Sequence, residues 1–438
     1  MSSTASRRPP HLTAVRRETE RVTALELFFD LVFVLALTQC TALIAGTLTW
    51  EAALKGLLVL AILWWSWVGY AWLTSVVNPE EGSVRLVMFA AMAAFLVAAM
   101  CVPRAFGSKA LLFACAYTVV RSAHIGLFLL ASRDDAGLRR SVLGLAVGTA
   151  ISAGLLLIAA ATAGGLQLGI WGLALALDGA GPFLFGAEGW QLVPGHFAER
   201  HGAIIIIALG ESVVAIGTGA RATFGAGAVA AAVLGMAVAA ALWWAYFDVV
   251  APVAGRRLSR AEGVERNKMA RDSYSYLHFP MIAGIALVAV GMKRTLAHIA
   301  DPLGDVAAAA MLGGAALYLL AHVAFRYRNV GTINRQRLLC AALLLALLPL
   351  DNALRPPSLA TLGVLAGVLS GLIGYEVLRF AEAPVRTRRR PAPPPGAWRA
   401  RCRHGGWRRS AAPAPGARRR WQARTPPSCP VRAARLRA

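Results

Sequence analysis

Apolar residues fall along this chain in twelve stretches of about twenty, between Leu25 and Phe380, separated by short polar or charged segments. A helix of about 20 apolar residues, rising 1.5 Å per residue, matches the roughly 30 Å hydrocarbon core of a bilayer. The pattern therefore predicts an all-α integral membrane protein with about twelve transmembrane helices. The predicted spans are residues 27–47, 53–74, 84–102, 109–131, 141–161, 166–186, 202–220, 226–251, 274–292, 304–324, 337–351 and 359–379.

Basic residues in the predicted loops indicate the orientation of these spans. With the N-terminus in the cytoplasm, the internal loops contain fifteen Lys and Arg residues and the external loops contain seven. An excess of Lys and Arg in short loops marks the cytoplasmic side. The count predicts an inner-membrane protein with an even number of spans and both termini in the cytoplasm. The basic N-terminal segment, residues 1–24, runs into a first span that is expected to insert as an uncleaved anchor.

The chain also carries a weak internal repeat. The sequence LWWSW at residues 63–67 resembles LWWAY at 242–246, and ALTQ at 36–39 resembles ALGE at 208–211. A duplication of six spans would give two halves, residues 25–192 and 193–382, in the same orientation about an axis along the membrane normal. The alternative is coincidence among apolar helices rich in tryptophan.

Composition supports the membrane assignment and isolates the C-terminal end. Hydrophobic residues make up 57% of the 438 residues and charged residues only 15%, which is unlike a water-soluble domain. Of the net charge of +23, sixteen positive charges are arginines after Glu382, which leaves +7 for the rest. Residues 383–438, rich in Arg and Pro, are predicted to be a disordered tail that is drawn to the anionic inner leaflet. An extension without function, such as one from a shifted reading frame, explains this tail equally well.

Motifs for enzyme chemistry are missing from the sequence. The six cysteines form no CxxC pair and no zinc-type spacing. There is no GxxxxGK[ST] phosphate loop and no GxSxG elbow. We therefore expect no metal, no cofactor and no enzyme activity. The expected partners are the lipid bilayer and a small solute or ion, a homo-oligomer is compatible with the sequence, and no nucleic-acid partner is expected.

Several ionisable residues lie near the centres of predicted spans. Glu211, next to Ser212, is about ten residues into span 7, while Arg121 and His124 lie one turn apart in span 4 and Asp178 lies in span 6. A charge at the bilayer centre costs at least about 2.5 kcal/mol, so such residues usually serve an ion or solute pathway. These residues are the candidate coupling or substrate-binding group. The alternative is an ion pair of Arg121 with Glu211 or Asp178 that only fixes the packing of helices.

Two further features concern the predicted pathway. The sequence DGAGP at 178–182 predicts a helix that is either broken at membrane depth or kinked at its proline. A second group of ionisable residues lies toward the cytoplasmic side, and a capping box that begins at Thr23 explains one of its acids, Glu26. This cytoplasmic-side group consists of Glu26, Asp30, Asp248, His278 and His322.

Two motifs resemble a known family. The sequences ELFFDLVFV from Glu26, and HFAERHG at 196–202 followed by ALGES at 208–212, are similar to the bacterial low temperature requirement protein A family. The resemblance covers residues of about 15 to 380 and implies a multi-pass membrane architecture without naming a substrate. It makes the following residues the motif positions: Glu26, Asp30, Glu199, Arg200, Glu211 and Ser212.

The sequence favours a secondary transporter or ion-coupled permease of unknown solute. Glu211 would be the coupling or substrate-contacting carboxylate, and Arg121 its charge partner or an anion-binding group. Asp30 and Asp248 would line the cytoplasmic entry. Two alternatives are an ion channel and a non-transporting membrane protein that acts in cold or envelope-stress adaptation.

Deletion of the residues after Ala383 tests whether the tail has a role. Because every predicted span precedes this point, the truncated protein is expected to support cold growth of a deletion strain as well as the full chain does. Growth curves at low temperature, at matched protein levels, give the measurement. Loss of the phenotype on truncation would instead favour direct nucleic-acid binding by the tail.

Overall fold

A computed structural model describes residues 21–80, 82–184, 189–219 and 225–381 of the chain. Within these ranges the backbone is almost entirely helical and contains no strand. The predictions for residues 1–20 and for the tail 383–438 lie outside the described residues. The predicted all-α architecture is confirmed for the described part of the chain.

Twelve helices follow one another in the order that the hydropathy pattern predicts. Their bounds are α1 Ala24–Thr47, α2 Trp50–Val76, α3 Gly82–Cys101, α4 Ala110–Ala131, α5 Ala136–Ala159, α6 Gly164–Leu184, α7 Pro194–Gly219, α8 Ala226–Arg260, α9 Gly263–Ala297, α10 Asp305–Val330, α11 Arg335–Leu354 and α12 Ser358–Ala381. Three of these helices contain a π-helical segment, at Ala245–Val250 in α8, Ala270–Tyr276 in α9 and Ala309–Gly313 in α10.

Length and composition allow eleven of the described helices to cross a membrane. The remaining helix, α6, has 21 residues, but Gln167, Asp178 and its glycines make it less apolar than the others. Large apolar side chains such as Leu86, Leu111 and Leu339 are 60% or more exposed on the protein surface. Exposed apolar surface on many helices suits contact with lipid. The chain is therefore an all-α multi-pass membrane protein.

Local sequence explains where α1 begins. The side chain of Thr23 accepts a hydrogen bond from the Glu26 backbone N–H, and Glu26 Oε2 accepts one from the Thr23 N–H at 2.8 Å. These reciprocal bonds satisfy two backbone donors that the first helical turn leaves without partners. The predicted capping box is thus confirmed. It also fixes the direction in which Glu26 enters the bundle.

Helix packing follows the same pattern in the two predicted halves. In the first half α1 packs on α2 and α3, α2 on α4 and α6, and the pairs α3–α4, α4–α5 and α5–α6 are in contact. In the second half α7 packs on α8 and α9, α8 on α10 and α12, and the pairs α9–α10, α10–α11 and α11–α12 are in contact. Each contact therefore recurs six helices later, which is the pattern that a duplication produces. Helices α1, α7 and α9 contact one another where the halves meet.

Several helices are longer than predicted, and three of the extensions concern a basic residue that is buried or partly buried: Arg200 and Lys293 had been placed in loops, and Arg337 at the first position of a span. Helix α7 begins at Pro194 rather than 202 and contains Arg200; α9 extends to Ala297 and contains Lys293; α11 begins at Arg335 and contains Arg337. The prediction was wrong because hydropathy ends a span at a charge. In the folded bundle, partners from other helices offset the cost of that charge.

The predicted break in span 6 does not occur. Helix α6 continues through Asp178 and Pro182 to Leu184. Pro182 lies two residues before the helix ends, so the hydrogen bond that it removes belongs to the last turn. Groups from α9 bind carbonyl oxygens of this turn. Tyr276 Oη donates to the Gly179 oxygen, and Arg271 Nη1 donates to the Pro182 oxygen at 3.1 Å.

The crossing of α9 and α10 provides a test of this packing. A Cβ atom built on Gly314 would lie 2.7 Å from Leu287 Cβ and 2.8 Å from the Gly284 carbonyl oxygen, whereas one on Gly313 meets no atom within 4 Å. We expect Gly314→Ala to destabilise the protein by about 1–3 kcal/mol, because overpacking displaces the helices. Gly313→Ala is the matched control, expected to be neutral or slightly stabilising from helix propensity. Denaturant unfolding in detergent measures both, and equal stabilities would contradict the described crossing.

Candidate functional site

A cluster of buried charges joins the first helices of the two halves. We call it the Arg200 cluster; it consists of Glu26, Asp30, Trp67, His196 and Arg200. The Arg200 guanidinium lies 3.2 Å from Glu26 Oε1 and 3.0 Å from Asp30 Oδ1. His196 Nε2 lies 2.8 Å from Glu26 Oε1, and Trp67 Nε1 donates to Asp30 Oδ1 at 2.8 Å. All five side chains are fully buried.

One cation in this cluster faces two carboxylates. Arg200 also lies 5.5 Å above the Trp67 ring, at a distance where a guanidinium and an aromatic face attract each other. Asp30 Oδ2 has no hydrogen-bond partner among the described residues. Glu199, the neighbouring motif position, is exposed, and its carboxylate accepts a bond from the Val22 backbone at 3.4 Å. Of these two motif residues only Arg200 therefore belongs to the cluster.

A second buried group surrounds Glu211, farther along α7. We call it the Glu211 cluster; it consists of Thr38, Thr41, Glu211 and Lys293. Lys293 Nζ lies 2.6 Å from Glu211 Oε1 and 2.7 Å from Thr41 Oγ1. Thr41 donates to Glu211 Oε1 at 2.6 Å, and Thr38 donates to Oε2. Glu211 is fully buried, and 17% of the Lys293 side chain is exposed.

The sequence indicated Arg121 as one candidate partner of Glu211. Arg121 does not pair with Glu211; the cation that does is Lys293, which we had placed in an external loop. Ser212, the adjacent motif position, is fully buried, and its hydroxyl has no hydrogen-bond partner within the described chain. Ser212 therefore lies beside the Glu211 cluster and is not bonded to it.

The two clusters also define how α1 and α7 are oriented. Asp30 meets Arg200 near the beginning of both helices, and Thr38 meets Glu211 nearer to their ends. Contacts that advance along both helices in the same direction require that the helices run parallel. This orientation is the one expected for the first helices of two parallel six-helix halves.

Arg121 pairs with Asp178 inside the first half. Arg121 Nη2 lies 2.9 Å from Asp178 Oδ1 and donates to Thr149 Oγ1 at 2.7 Å. Tyr117 Oη donates to Asp178 Oδ2 at 3.1 Å. Both charged side chains are at most 2% exposed. The sequence left open which acid Arg121 meets, and the structure assigns Asp178.

The second half contains a similar group, which the sequence did not predict. Arg337 donates to Glu376 at 2.8 and 2.9 Å, to His322 Nδ1 at 2.9 Å and to the Ala245 carbonyl oxygen at 2.9 Å. That carbonyl lies in the π-helical segment of α8, where the regular helical bonding pattern is interrupted. His322 and Glu376 each follow their first-half counterparts, His124 and Asp178, by 198 residues. This equal spacing is what a duplicated half would produce.

Histidine and aromatic side chains in the centre of the bundle connect the Arg200 cluster with the group around Arg337. His278 Nδ1 lies 3.0 Å from the Ser273 carbonyl oxygen, so Nδ1 carries the proton and Nε2 accepts from Tyr246 Oη at 2.9 Å. The His201 ring lies 5.1 Å from that of His278 and 5.1 Å from that of Trp67. Asp248, which we had grouped with these histidines, is exposed on the surface. Of the predicted cytoplasmic-side group, Glu26, Asp30, His278 and His322 are buried in the bundle, whereas Asp248 is not.

A cavity lies between α2, α4, α6 and α9. It is open to the surroundings, and the empty space inside it and at its mouth measures about 550 Å³. Its lining runs from Trp190, in the segment before α7, to Arg121 and His124 near the middle of α4. Both halves contribute, since Asn267, Arg271 and Ser275 of α9 line it as well. Helix α2 contributes to both sites. Trp65, Gly69 and Trp72 line the cavity, and Trp67 belongs to the Arg200 cluster.

Sequence reasoning missed several residues of these groups. His196 stands four residues before Arg200, so both lie on one helix face, and this spacing is a usable signal. Glu376 lies inside the predicted span 359–379 but near its end, so the depth criterion that selected Glu211 did not select it. Lys293 and Arg337 gave a weaker signal, because Lys293 stands just outside a predicted span and Arg337 is the first residue of one. His201 gave none beyond its place in the motif HFAERHG.

The helices and their buried ion pairs define a multi-pass membrane protein. No group of three His, Cys, Asp or Glu side chains in the described ranges is arranged to hold a metal ion. Residues 21–373 match the family described as bacterial low temperature requirement A protein (LtrA). The chain belongs to this family, as its motifs predicted.

One relative and the solved structures complete the comparison. A protein of Rhizobium meliloti (strain 1021), described as uncharacterized, is 30% identical over 310 residues, which is 67% of this chain and 74% of the relative. No solved structure matches the chain. The family and this relative leave the substrate unnamed.

The Arg121–Asp178 pair gives a test of the buried charges. Asp178→Asn is expected to lower the free energy of unfolding by about 3–5 kcal/mol, because it leaves the Arg121 charge buried without compensation. Adding Arg121→Met to the same chain should restore most of the loss. Lys55→Gln, at the exposed Glu51–Lys55 pair, is the control and should cost less than about 1 kcal/mol. Unfolding in detergent with added denaturant measures all four proteins; additive losses in the double variant would contradict the pairing.

Proposed function

We propose that this protein is a secondary transporter or ion-coupled permease for a small solute in the inner membrane, with both termini in the cytoplasm. The observation that carries the proposal is the pair of buried ionic clusters on the shared face of α1 and α7. Helices α1 and α7 are the first helices of the two halves, so a movement of one half against the other changes the contacts between α1 and α7. The bilayer and the solute are then the partners, and no enzyme activity is involved.

The α1–α7 interface alternates between polar and apolar layers. Asp30 and Thr38 are separated by about 12 Å of helix rise, and Arg200 and Glu211 by about 16 Å. Between these positions both helices carry apolar side chains that are fully buried: Phe33 and Ala36 of α1, and Ile204, Ile205 and Ala208 of α7. An apolar layer prevents ions from passing between α1 and α7. The ion pairs in the charged layers on either side can break and re-form. This order suits a carrier that exposes its site to one side at a time.

Energetics argue against a purely structural role for these charges. A buried ion pair is often no more stabilising than a well-packed apolar pair of the same volume, because both charges lose their hydration. Polar and ionisable groups within membrane helices are therefore usually retained for function. The Arg200 and Glu211 clusters place three carboxylates and two cations on one helix interface, where apolar side chains would pack as well.

Glu211 is the coupling carboxylate in this proposal, with Lys293 as its partner in place of Arg121. A proton or a cation that binds Glu211 would compete with Lys293 for Oε1. Lys293, which is partly exposed, would then be free to turn toward solvent. Such an exchange links occupation by an ion to the contact between α1, α7 and α9. Coupling of this kind requires only that the two states of the pair differ in free energy.

Solute-triggered currents in liposomes test the proposal. The wild-type chain, reconstituted and supplied with ions, amino acids, sugars, organic anions and organic cations in turn, is expected to give a saturable current with at least one class. Glu211→Gln should lower that current at least tenfold, because the amide cannot exchange a proton or pair with Lys293. Glu51→Gln, which changes an exposed carboxylate of α2, is the matched control and should transport normally.

Misfolding is separated from loss of function by a second variant. Glu211→Gln with Lys293→Met removes both charges, so the protein is expected to regain stability but not transport. Recovery of transport in this double variant would contradict a coupling role and leave the pair a packing element. Unsaturable single-channel currents would instead identify a channel. If the folded wild-type protein gave no current with any solute of the panel, the result would favour the non-transporting role in cold or envelope-stress adaptation.

A further inference from the structure

We infer that the cavity between α2, α4, α6 and α9 binds a small organic anion with a flat apolar body, of the aromatic carboxylate type. This inference rests on the proposed function for its transport consequence, but the binding site stands on the geometry of the cavity.

Four large aromatic side chains line the cavity. Trp65 and Trp72 come from α2, Phe128 from α4, and Trp190 from the segment before α7. The Trp72 ring lies 5.5 Å from that of Trp190, and the Phe128 ring lies 5.3 Å from it, so these rings form one aromatic surface. Flat aromatic ligands pack well against such rings, in offset or edge-to-face arrangements. This part of the cavity therefore favours a planar apolar body.

The charges that line the cavity are positive. Arg121 and Arg271 line it, and no carboxylate does so among the described lining residues. Their acids, Asp178 and Asp272, bind them from outside the lining, at 2.9 and 2.7 Å. Arg271 is held in place by its bond to the Pro182 carbonyl oxygen and by the Phe183 ring, 4.0 Å from the guanidinium. Guanidinium groups bind carboxylates through two parallel hydrogen bonds and repel cations.

His124 lies at the inner end of the cavity. The side chain is 1% exposed, and its ring lies against the Gly69 backbone. A Cβ built on Gly69 would lie 2.9 Å from the His124 ring and 3.0 Å from Arg121 Nη1. Glycine at this position thus leaves room directly beside both groups.

The basic part of the cavity therefore matches the carboxylate of the ligand, and the aromatic part matches its ring. A carboxylate can meet Arg121, His124 or Arg271, while a planar ring contacts the tryptophans. A small anion without a ring would leave the aromatic walls unfilled, and a cation would face two guanidinium groups. Because α2 and α4 belong to the first half and α9 to the second, a ligand here contacts both halves.

Equilibrium binding to the purified full-length protein tests the site. The probes are radiolabelled benzoate and 2-naphthoate, with acetate, benzamide and benzylamine as competitors. We expect both aromatic carboxylates to bind saturably, with acetate, benzamide and benzylamine at least tenfold weaker as competitors. No saturable binding of either carboxylate, or equal competition by benzamide, would overturn the inference.

Variants locate the binding in this cavity. Gly69→Ala and Arg271→Gln are each expected to weaken benzoate binding at least tenfold. Gly154→Ala, at a glycine with open space around it, and Arg379→Gln, at an exposed arginine of α12, are the matched controls and should bind as the wild type does. Undiminished binding in both Gly69→Ala and Arg271→Gln would place the ligand elsewhere and overturn the assignment.

The binding and transport measurements can fail separately. Benzoate binding in the cavity of a protein that gives no current with any solute of the panel would support the site and contradict the proposed transport function. A Glu211-dependent current carried by another solute, from protein that does not bind benzoate, would support the transporter and overturn this site. Transport of benzoate that is lost in Arg271→Gln would support both.

Discussion

Hydrocarbon does not solvate charge, and this constraint organises the interior of the protein. An ionised side chain at the centre of a membrane helix costs at least about 2.5 kcal/mol, so it must find a counter-charge within the bundle. The five buried carboxylates of the described residues each do so: Glu26 and Asp30 with Arg200, Asp178 with Arg121, Glu211 with Lys293, and Glu376 with Arg337. Every pair joins two different helices. The pairs therefore help to determine which helices lie together.

These pairs divide into two kinds. Arg121–Asp178 and Arg337–Glu376 each lie within one half, beside a histidine, and they hold each six-helix bundle together. The Arg200 cluster lies between α1 and α7 and thus joins the halves, and the Glu211 cluster adds α9 to the same junction. A rearrangement of the halves would leave the first kind intact, and also the Glu211–Lys293 pair, whose residues both belong to the second half. It would change the contacts that the two clusters make with α1, which are those of Arg200 with Glu26 and Asp30 and those of Glu211 with Thr38 and Thr41. The three π-helical segments are found in helices of the second half, so the halves differ in backbone regularity although their described helix contacts match.

Depth and charge in the sequence were sufficient to select Asp30, Arg121, Asp178 and Glu211 as unusual residues. Depth and charge did not show which of these residues form ion pairs with one another. Lys293, Arg200 and Arg337 looked like loop residues because each stands next to an apolar stretch, and a hydropathy window ends where a charge begins. Whether such a charge lies inside the membrane depends on a partner that the window does not contain. Glu26 and His196, which are in contact, are 170 residues apart in the chain.

The sequence by itself determined the helical class, the number and order of the helices, the capping of α1 and the family. These features follow from local rules, since helix length must match the bilayer and every backbone hydrogen bond must be made within the helix. The tertiary structure alone decided the charge partners, the parallel contact of α1 with α7, and the cavity between α2, α4, α6 and α9. Each of these depends on side chains from distant helices at separations of a few ångströms, and hydropathy and local spacing do not encode which helix faces which.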